Sequence, residues 1–448
     1  MIWYNVNISL RKRYETEIIS TIDGKYGTLM NVSKRWKTEW NEHISVFLKL
    51  ILFALIIGIT VGVVGAGFHH AIEIATALRI QYPWLLYLMP VAGVCIIGLY
   101  RICGIEKDRG TNFVLTAVRE DEPMYLRKAP LIFISTVLTH LVGGSSGREG
   151  AALQLGGAIS GKIGQAMRLG DKDKKLITMC GMAAGFSALF GTPITAAIFA
   201  MEVISVGVMY YAAIVPCVLG AIIAALTAQF LHGEATFFVL DNIPEVTVGT
   251  VSRVILLGIL CSTISILFCY INHKTPKIYG KYLPNPMVRA AVGGCIVIGL
   301  TLVVGTRDYN GAGMDVITRA LQGEAVPYAF ALKILFTAVT LGAGFKGGEI
   351  VPVFFTGATF GCVVGELLGL PAGFAASLGM TAVFCGVTNC PVSSILLAFE
   401  LFGGESLALY ALCIAVAYML SGYYSLYTEQ KILYSKWKPE FINQKAYH

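Results

Sequence analysis

Residues 143–157 read GGSSGREGAALQLGG, and residues 347–352 read GGEIVP. Each stretch sets an acidic side chain, Glu149 or Glu349, in a glycine-rich break within apolar chain. Glycine ahead of a helix lets backbone N–H groups converge with no side chain in the way. A helix N-terminus carries unsatisfied donors and a partial positive charge. Two such termini meeting at membrane depth would hold a desolvated anion. Gly147, Arg148 and Gly150 belong to the first break, and Gly348, Glu349, Ile350 and Val351 to the second. A carboxylate at Glu149 competes with an anion for the same donors. Once protonated it loses that attraction and moves aside, so one side chain serves as gate and proton carrier. An acid at membrane depth costs on the order of 3 kcal/mol on insertion scales, which points to function. The structural alternative is an Arg148–Glu149 ion pair at a helix end.

The elements that must carry these breaks are membrane helices. The chain has 448 residues, 56% hydrophobic and only 14% charged, with a mean hydropathy of +0.69. That composition is too apolar for an ordinary soluble chain and marks an integral membrane protein. The apolar runs are continuous and do not alternate, so helices are indicated and a β-barrel is not. No cleavable leader is recognisable before the first apolar run, near Phe47. Lys and Arg populate the first 46 residues and the tail after residue 427. The positive-inside rule then puts both ends in the cytoplasm of a multi-pass cell-membrane protein. The net charge of +7 is juxtamembrane and calls for no nucleic acid. The eleven Cys lack metal or disulfide spacing and read as small hydrophobes.

Several apolar runs are too short for one crossing or are cut by Gly and Pro. Such helices survive at membrane depth only where they are buried in protein or line a cavity. An internal repeat organises them. GMAAGFSALFGTPITAAIFAMEV from Gly181 matches GMTAVFCGVTNCPVSSILLAFEL from Gly379, pairing Pro193 with Pro391 and Glu202 with Glu400. Upstream, GREGAALQLGGAISG from Gly147 lies over GGEIVPVFFTGATFG from Gly347, which sets Glu149 on Glu349. Duplicated halves with broken helices are the mark of a repeat-built transporter. The expected organisation is a cytoplasmic N-terminal segment 1–46, membrane repeats 47–232 and 250–427 joined by a linker 233–249, and a cytoplasmic tail 428–448.

These motifs resemble those of the CLC chloride channels and proton-coupled antiporters. GREGA with QLGG is similar to the family's GREGP or GKEGP, and GGEIVP to its GGxFxP. FGTPITAAIFAMEV looks like FNAPLAGxLFxxEE, and YYSLY like the segment carrying a central tyrosine. The likeness runs in family order from about residue 50 to 430. It implies an all-α polytopic fold of inverted repeats with broken and re-entrant helices, and a homodimer with one anion pathway per subunit. It implies that Glu149 is the gating glutamate and Tyr427 the anion-touching tyrosine, with Tyr424 the alternative. Gly348, Ile350 and Val351 fall on the second-half helix N-terminus. The family's GSGIP serine has no clean copy. Its place falls in RGTNF, so Thr111 is the candidate and Asn112 the second. A Thr111 hydroxyl would still donate to an anion, although a helix N-cap is an equal reading.

Two departures from the family bear on the ion. Val203 stands where transporting members carry the internal proton-transfer glutamate; Glu202 beside it reads as a helix-end residue or part of a proton route. Glu349 has no counterpart in most chloride-handling relatives. The fluoride-exporting branch is similar in having GGE before the proline and in lacking the internal glutamate, but it tends to carry threonine where Val351 stands.

The first reading is therefore halide transport by chloride/proton antiport. Fluoride/proton antiport comes next, then a passive chloride channel. An organic-anion carrier is the alternative from another class and would need a roomier, more polar pocket. His69, His70 and His140 lack metal spacing and read as packing or interfacial residues. Glu120 and Asp121 read as a solvated loop pair. No nucleophile elbow, phosphate loop or zinc motif is present, so neither an enzyme nor a cofactor is expected. The expected partners are chloride or fluoride, protons, the lipid bilayer and a second copy of the chain.

Overall fold

The structure is a computed structural model. It describes residues 2–105, 108–120, 126–231, 237–240 and 242–447, with side chains from residue 39 onward. Asp121 and the side chains of the basic leader up to residue 38 lie outside the described residues. Two compact units are present, Met1–Leu52 and Phe53–His448. The first is helical throughout its described residues and belongs to α1 (Ile2–Gln81).

The second unit is built from helices in a repeated order. Along the first half run α2 (Met89–Ile102), α3 (Thr111–Glu120), α4 (Lys128–Leu141), α5 (Glu149–Ala166), α6 (Asp171–Phe190), α7 (Pro193–Glu202) and α8 (Ile214–Phe230). Along the second run α9 (Val248–Tyr282), α10 (Pro286–Val304), α11 (Met314–Leu321), α12 (Ala329–Ala343), α13 (Ile350–Leu367), α14 (Ala372–Thr388), α15 (Pro391–Phe402) and α16 (Leu407–Leu420). Among the described residues, six helical stretches are long and apolar enough to cross a bilayer. Shorter apolar helices such as α4, α7, α12 and α15 are the interrupted ones that the glycines and prolines announced.

The breaks have local causes. α6 stops at Gly191, whose φ of 68° is left-handed, and α7 starts on Pro193. In the second half Asn389 takes that turn with φ 59°, and α15 starts on Pro391. Glycine and asparagine are the residues that tolerate such a turn, and proline suits a helix start because that N–H is unpaired anyway. Helix pairs then pack through bare backbone. A Cβ on Gly156 of α5 would overlap the Gly181 carbonyl of α6, and one on Gly357 of α13 would overlap the Gly379 carbonyl of α14. Close approach through small residues is how helices associate where lipid offers no hydrophobic drive.

The membrane part is helical as expected, but the tail departs from an all-α chain. Strands β1 (Ser205–Val206), β2 (Lys431–Tyr434) and β3 (Phe441–Lys445) form one sheet in that order. β1 and β2 pair in parallel, β2 and β3 antiparallel. Ile432 is fully buried against Val206, Tyr423 and Ala446. Strands of two to five residues are too short for periodicity to reveal. All eleven cysteines are unpaired thiols, most of them buried.

Candidate functional site

The two glycine breaks meet. Gly147 N–H donates to Gly348 O at 2.6 Å, and Gly348 N–H donates to Gly147 O at 2.7 Å. This pair forms an isolated antiparallel bridge and brings the starts of α5 and α13 together. Ser145 ties the first break to α12: its N–H donates to Thr340 Oγ1 at 3.2 Å, and its hydroxyl lies 3.0 Å from that of Thr337. His140 Nε2 lies 3.3 Å from Gly147 O. Nothing in the sequence singled out that histidine contact.

The bridge also sets the register of the repeat. The first helical residues are Glu149 and Ile350, and their N-caps are Arg148 and Glu349. The Gly156–Gly181 and Gly357–Gly379 contacts give the same register. Sequence similarity set Glu149 on Glu349. The structure shifts this by one, so that Glu349 answers to Arg148 and Ile350 to Glu149. Gapless matching of two glycine-rich stretches cannot fix a one-residue offset, whereas hydrogen bonding can.

Glu149 is fully buried, and its carboxylate lies against Gly147 and Gly348. Amide groups of Arg148, Glu149 and Val351 face it, yet neither oxygen reaches hydrogen-bond geometry with any described group. Because Gly147 and Gly348 spend their N–H groups on each other, the remaining donors are those of the first helical turns. Pro352 contributes none. Glu349 is half-buried and within coulombic reach of Glu149. The two carboxyl groups belong to the adjoining starts of α5 and α13.

Tyr427 is 2% exposed and lies within coulombic reach of both Glu349 and Glu149. Its loop is pinned. Tyr427 N–H donates to Ser425 Oγ at 3.1 Å, and Ser425 donates to Gln430 Oε1 at 2.8 Å. Gln430 Nε2 donates to the carbonyls of Val203 and Thr388. Asn389 Nδ2 donates to Gln430 Oε1 and to Tyr424 O. Tyr424 packs instead on the tail, its ring 5.9 Å from that of Tyr447, which separates the two tyrosines the sequence left open. Gln430 was invisible in sequence because its partners lie up to 227 residues away.

Thr111 begins α3. Its hydroxyl lies 3.5 Å from Gly150 O, so α3 brings a third helix start to the same place. Asn112 Oδ1 accepts the Glu429 N–H at 3.1 Å and so holds the tyrosine segment. Arg148 lines a cavity of about 890 Å³ together with Glu73, Arg79, Arg307, Asp308 and Val351. His69 pairs with Glu73 at 2.9 Å, and the exposed His70 with the same residue at 3.6 Å.

Glu202 lies at the start of α15. Its carboxylate accepts from Val392 N at 3.0 Å, Ser393 N at 2.8 Å and Ser393 Oγ at 2.5 Å. Glu400 mirrors it, accepting from Ile194 N at 2.9 Å and Thr195 N at 2.7 Å. Each half thus closes the N-terminus of the other half's proline-started helix.

Residues 103–422 match the family described as voltage gated chloride channel. A chloride/fluoride channel protein of Pseudomonas syringae pv. tomato is 34% identical over 412 residues, which is 90% of this chain and 91% of that one. The H(+)/Cl(-) exchange transporter ClcA of Vibrio cholerae is 24% identical over 397 residues, 80% of this chain and 83% of the relative. The crystal structure of a CLC-type fluoride/proton antiporter superposes with a TM-score of 0.82 at 32% identity, covering 86% of this chain and 98% of that one. The chain belongs to the CLC family. It is a multi-pass membrane protein that transports halide, and not an enzyme.

Proposed function

We propose that the protein exchanges fluoride for protons. One arrangement carries the reading: the Gly147–Gly348 bridge sets two helix starts around the buried Glu149 carboxylate, with Glu349 within coulombic reach. The Glu149 carboxylate stands before the donors that a halide needs, facing the amides of Arg148, Glu149 and Val351. Protonation frees them, and a halide takes the place of the carboxylate while the proton travels on the side chain. Glu349 makes the site selective. A second carboxyl group repels a bare anion when ionised and donates a hydrogen bond when protonated. Fluoride, the smallest halide and the strongest hydrogen-bond acceptor, gains most from such a donor. Likeness to the chloride/fluoride channel protein and to the fluoride/proton antiporter supports the choice.

Thr111 and Tyr427 supply hydroxyl donors at the site, and Gly150, Ile350 and Val351 backbone N–H groups. Val203 in place of a second acid leaves Glu149 as the proton carrier. Chloride/proton exchange is the second reading, favoured by Val351 where fluoride exporters tend to carry threonine. The functional unit is a homodimer with both termini in the cytoplasm. The deciding experiment loads proteoliposomes with fluoride or chloride and records pH during efflux. Proton uptake driven by fluoride and not by chloride is expected. Chloride-driven uptake alone selects the second reading, and halide efflux without any pH change refutes exchange.

A further inference from the structure

Two charged side chains stand just outside the anion site and play no part in the exchange above. Lys346 comes three residues before Glu349, in FKGGE, and Asp108 three before Thr111, in DRGT. Lys346 Nζ lies 2.8 Å from Asp108 Oδ2, with side-chain exposures of 19% and 5%. The same ammonium sits over the Tyr100 ring, 4.6 Å from its centroid. Asp108 Oδ1 accepts the Gly110 N–H at 3.2 Å, closing a turn in which Gly110 takes φ +54°. α3 starts from that turn at Thr111. The Lys346 backbone is held as well, its N–H donating to Thr139 Oγ1 at 3.3 Å on α4.

We propose that Lys346 and Asp108 are a positioning pair: by tying the turn that carries Thr111 to the break that carries Glu349, they set which halide the site accepts. The inference rests on the exchange reading above. An exposed ion pair is too weak and mobile to fix geometry. This one is largely withdrawn from water, and both carboxylate oxygens are hydrogen-bonded, the conditions under which an ion pair specifies an arrangement. Among the described residues, the Thr111 hydroxyl is held by a long contact with Gly150 O, so its distance from Glu349 is left to the turn beneath it. Fluoride and chloride differ in radius by a fraction of an ångström, which is the scale on which an untied turn drifts.

The test uses the full-length protein in liposomes. The readout is the ratio of fluoride to chloride efflux, with proton uptake recorded alongside. Lys346→Arg keeps the charge and the hydrogen bond and retains the wild-type ratio. Lys346→Gln and Asp108→Asn each shift the ratio by about fivefold or more. A folded Lys346→Gln protein with fewer active copies but an unchanged ratio reduces the pair to scaffolding and overturns the proposal. Should those variants fail to fold, the folded Lys346→Arg protein decides: the wild-type ratio there supports the pair, and a shifted ratio refutes it. Wild-type halide efflux without proton movement ends the exchange reading alone, because the efflux ratio still tests the pair.

Discussion

Gly147 and Gly348 come from opposite halves of the chain and hydrogen-bond each other twice, at 2.6 and 2.7 Å. The bridge joins the two breaks and uses up one donor from each. It also leaves no room beside the Glu149 carboxylate. A Cβ on Gly348 would lie 2.5 Å from Glu149 Oε2 and 2.8 Å from Gly150 N. Gly348→Ala therefore forces the gate or the bridge to shift, at a cost of roughly 1–3 kcal/mol. Halide efflux per folded protein falls, and proton uptake falls with it. Efflux at the wild-type rate from a folded Gly348→Ala protein contradicts this packing.

Glu149→Gln imitates the protonated gate. Neither carboxylate oxygen reaches hydrogen-bond geometry with the amides that face it, so the neutral amide has no strong hold on the site. Halide efflux persists and proton coupling disappears. The check is pH recorded during efflux. Proton uptake that survives in this variant moves the carrier role elsewhere.

Glu349→Ala removes the carboxyl at the start of α13, within coulombic reach of Glu149 and Tyr427. Fluoride loses its advantage, by about tenfold if one charged-group hydrogen bond of roughly 1.5 kcal/mol is lost. Chloride efflux is maintained or rises. Paired efflux measurements give the ratio, and an unchanged ratio makes Glu349 a helix-cap residue without a part in selection.

Glu202→Gln and Glu400→Gln test the reciprocal caps. Each replaces a carboxylate that accepts from two backbone N–H groups, a loss of roughly 1–2 kcal/mol in stability. Both variants melt earlier, by similar amounts, while the number of protons moved per halide stays the same. Altered coupling in Glu202→Gln alone would restore that residue to a proton route.

The sequence by itself determined what depends on neighbours along the chain. Hydropathy placed the protein in a membrane, glycine and proline located the broken helices, and the repeat from Gly181 and Gly379 paired Pro193 with Pro391. GREG marked Glu149. The tertiary structure decided what depends on partners far apart in the chain. It shifted Glu349 from Glu149 onto Arg148, because two backbone hydrogen bonds fix a register that glycine-rich matching leaves free. It turned Glu202 toward Val392 and Ser393, since the other half brings an open helix N-terminus to it. It packed Tyr424 on Tyr447 of the tail and left Tyr427 within coulombic reach of Glu149 and Glu349, and gave Asp108 and Lys346 each other. Local conformation is encoded by nearby residues. The pairing of buried polar groups is settled only when packing excludes water and each donor has to take whichever acceptor lies within reach.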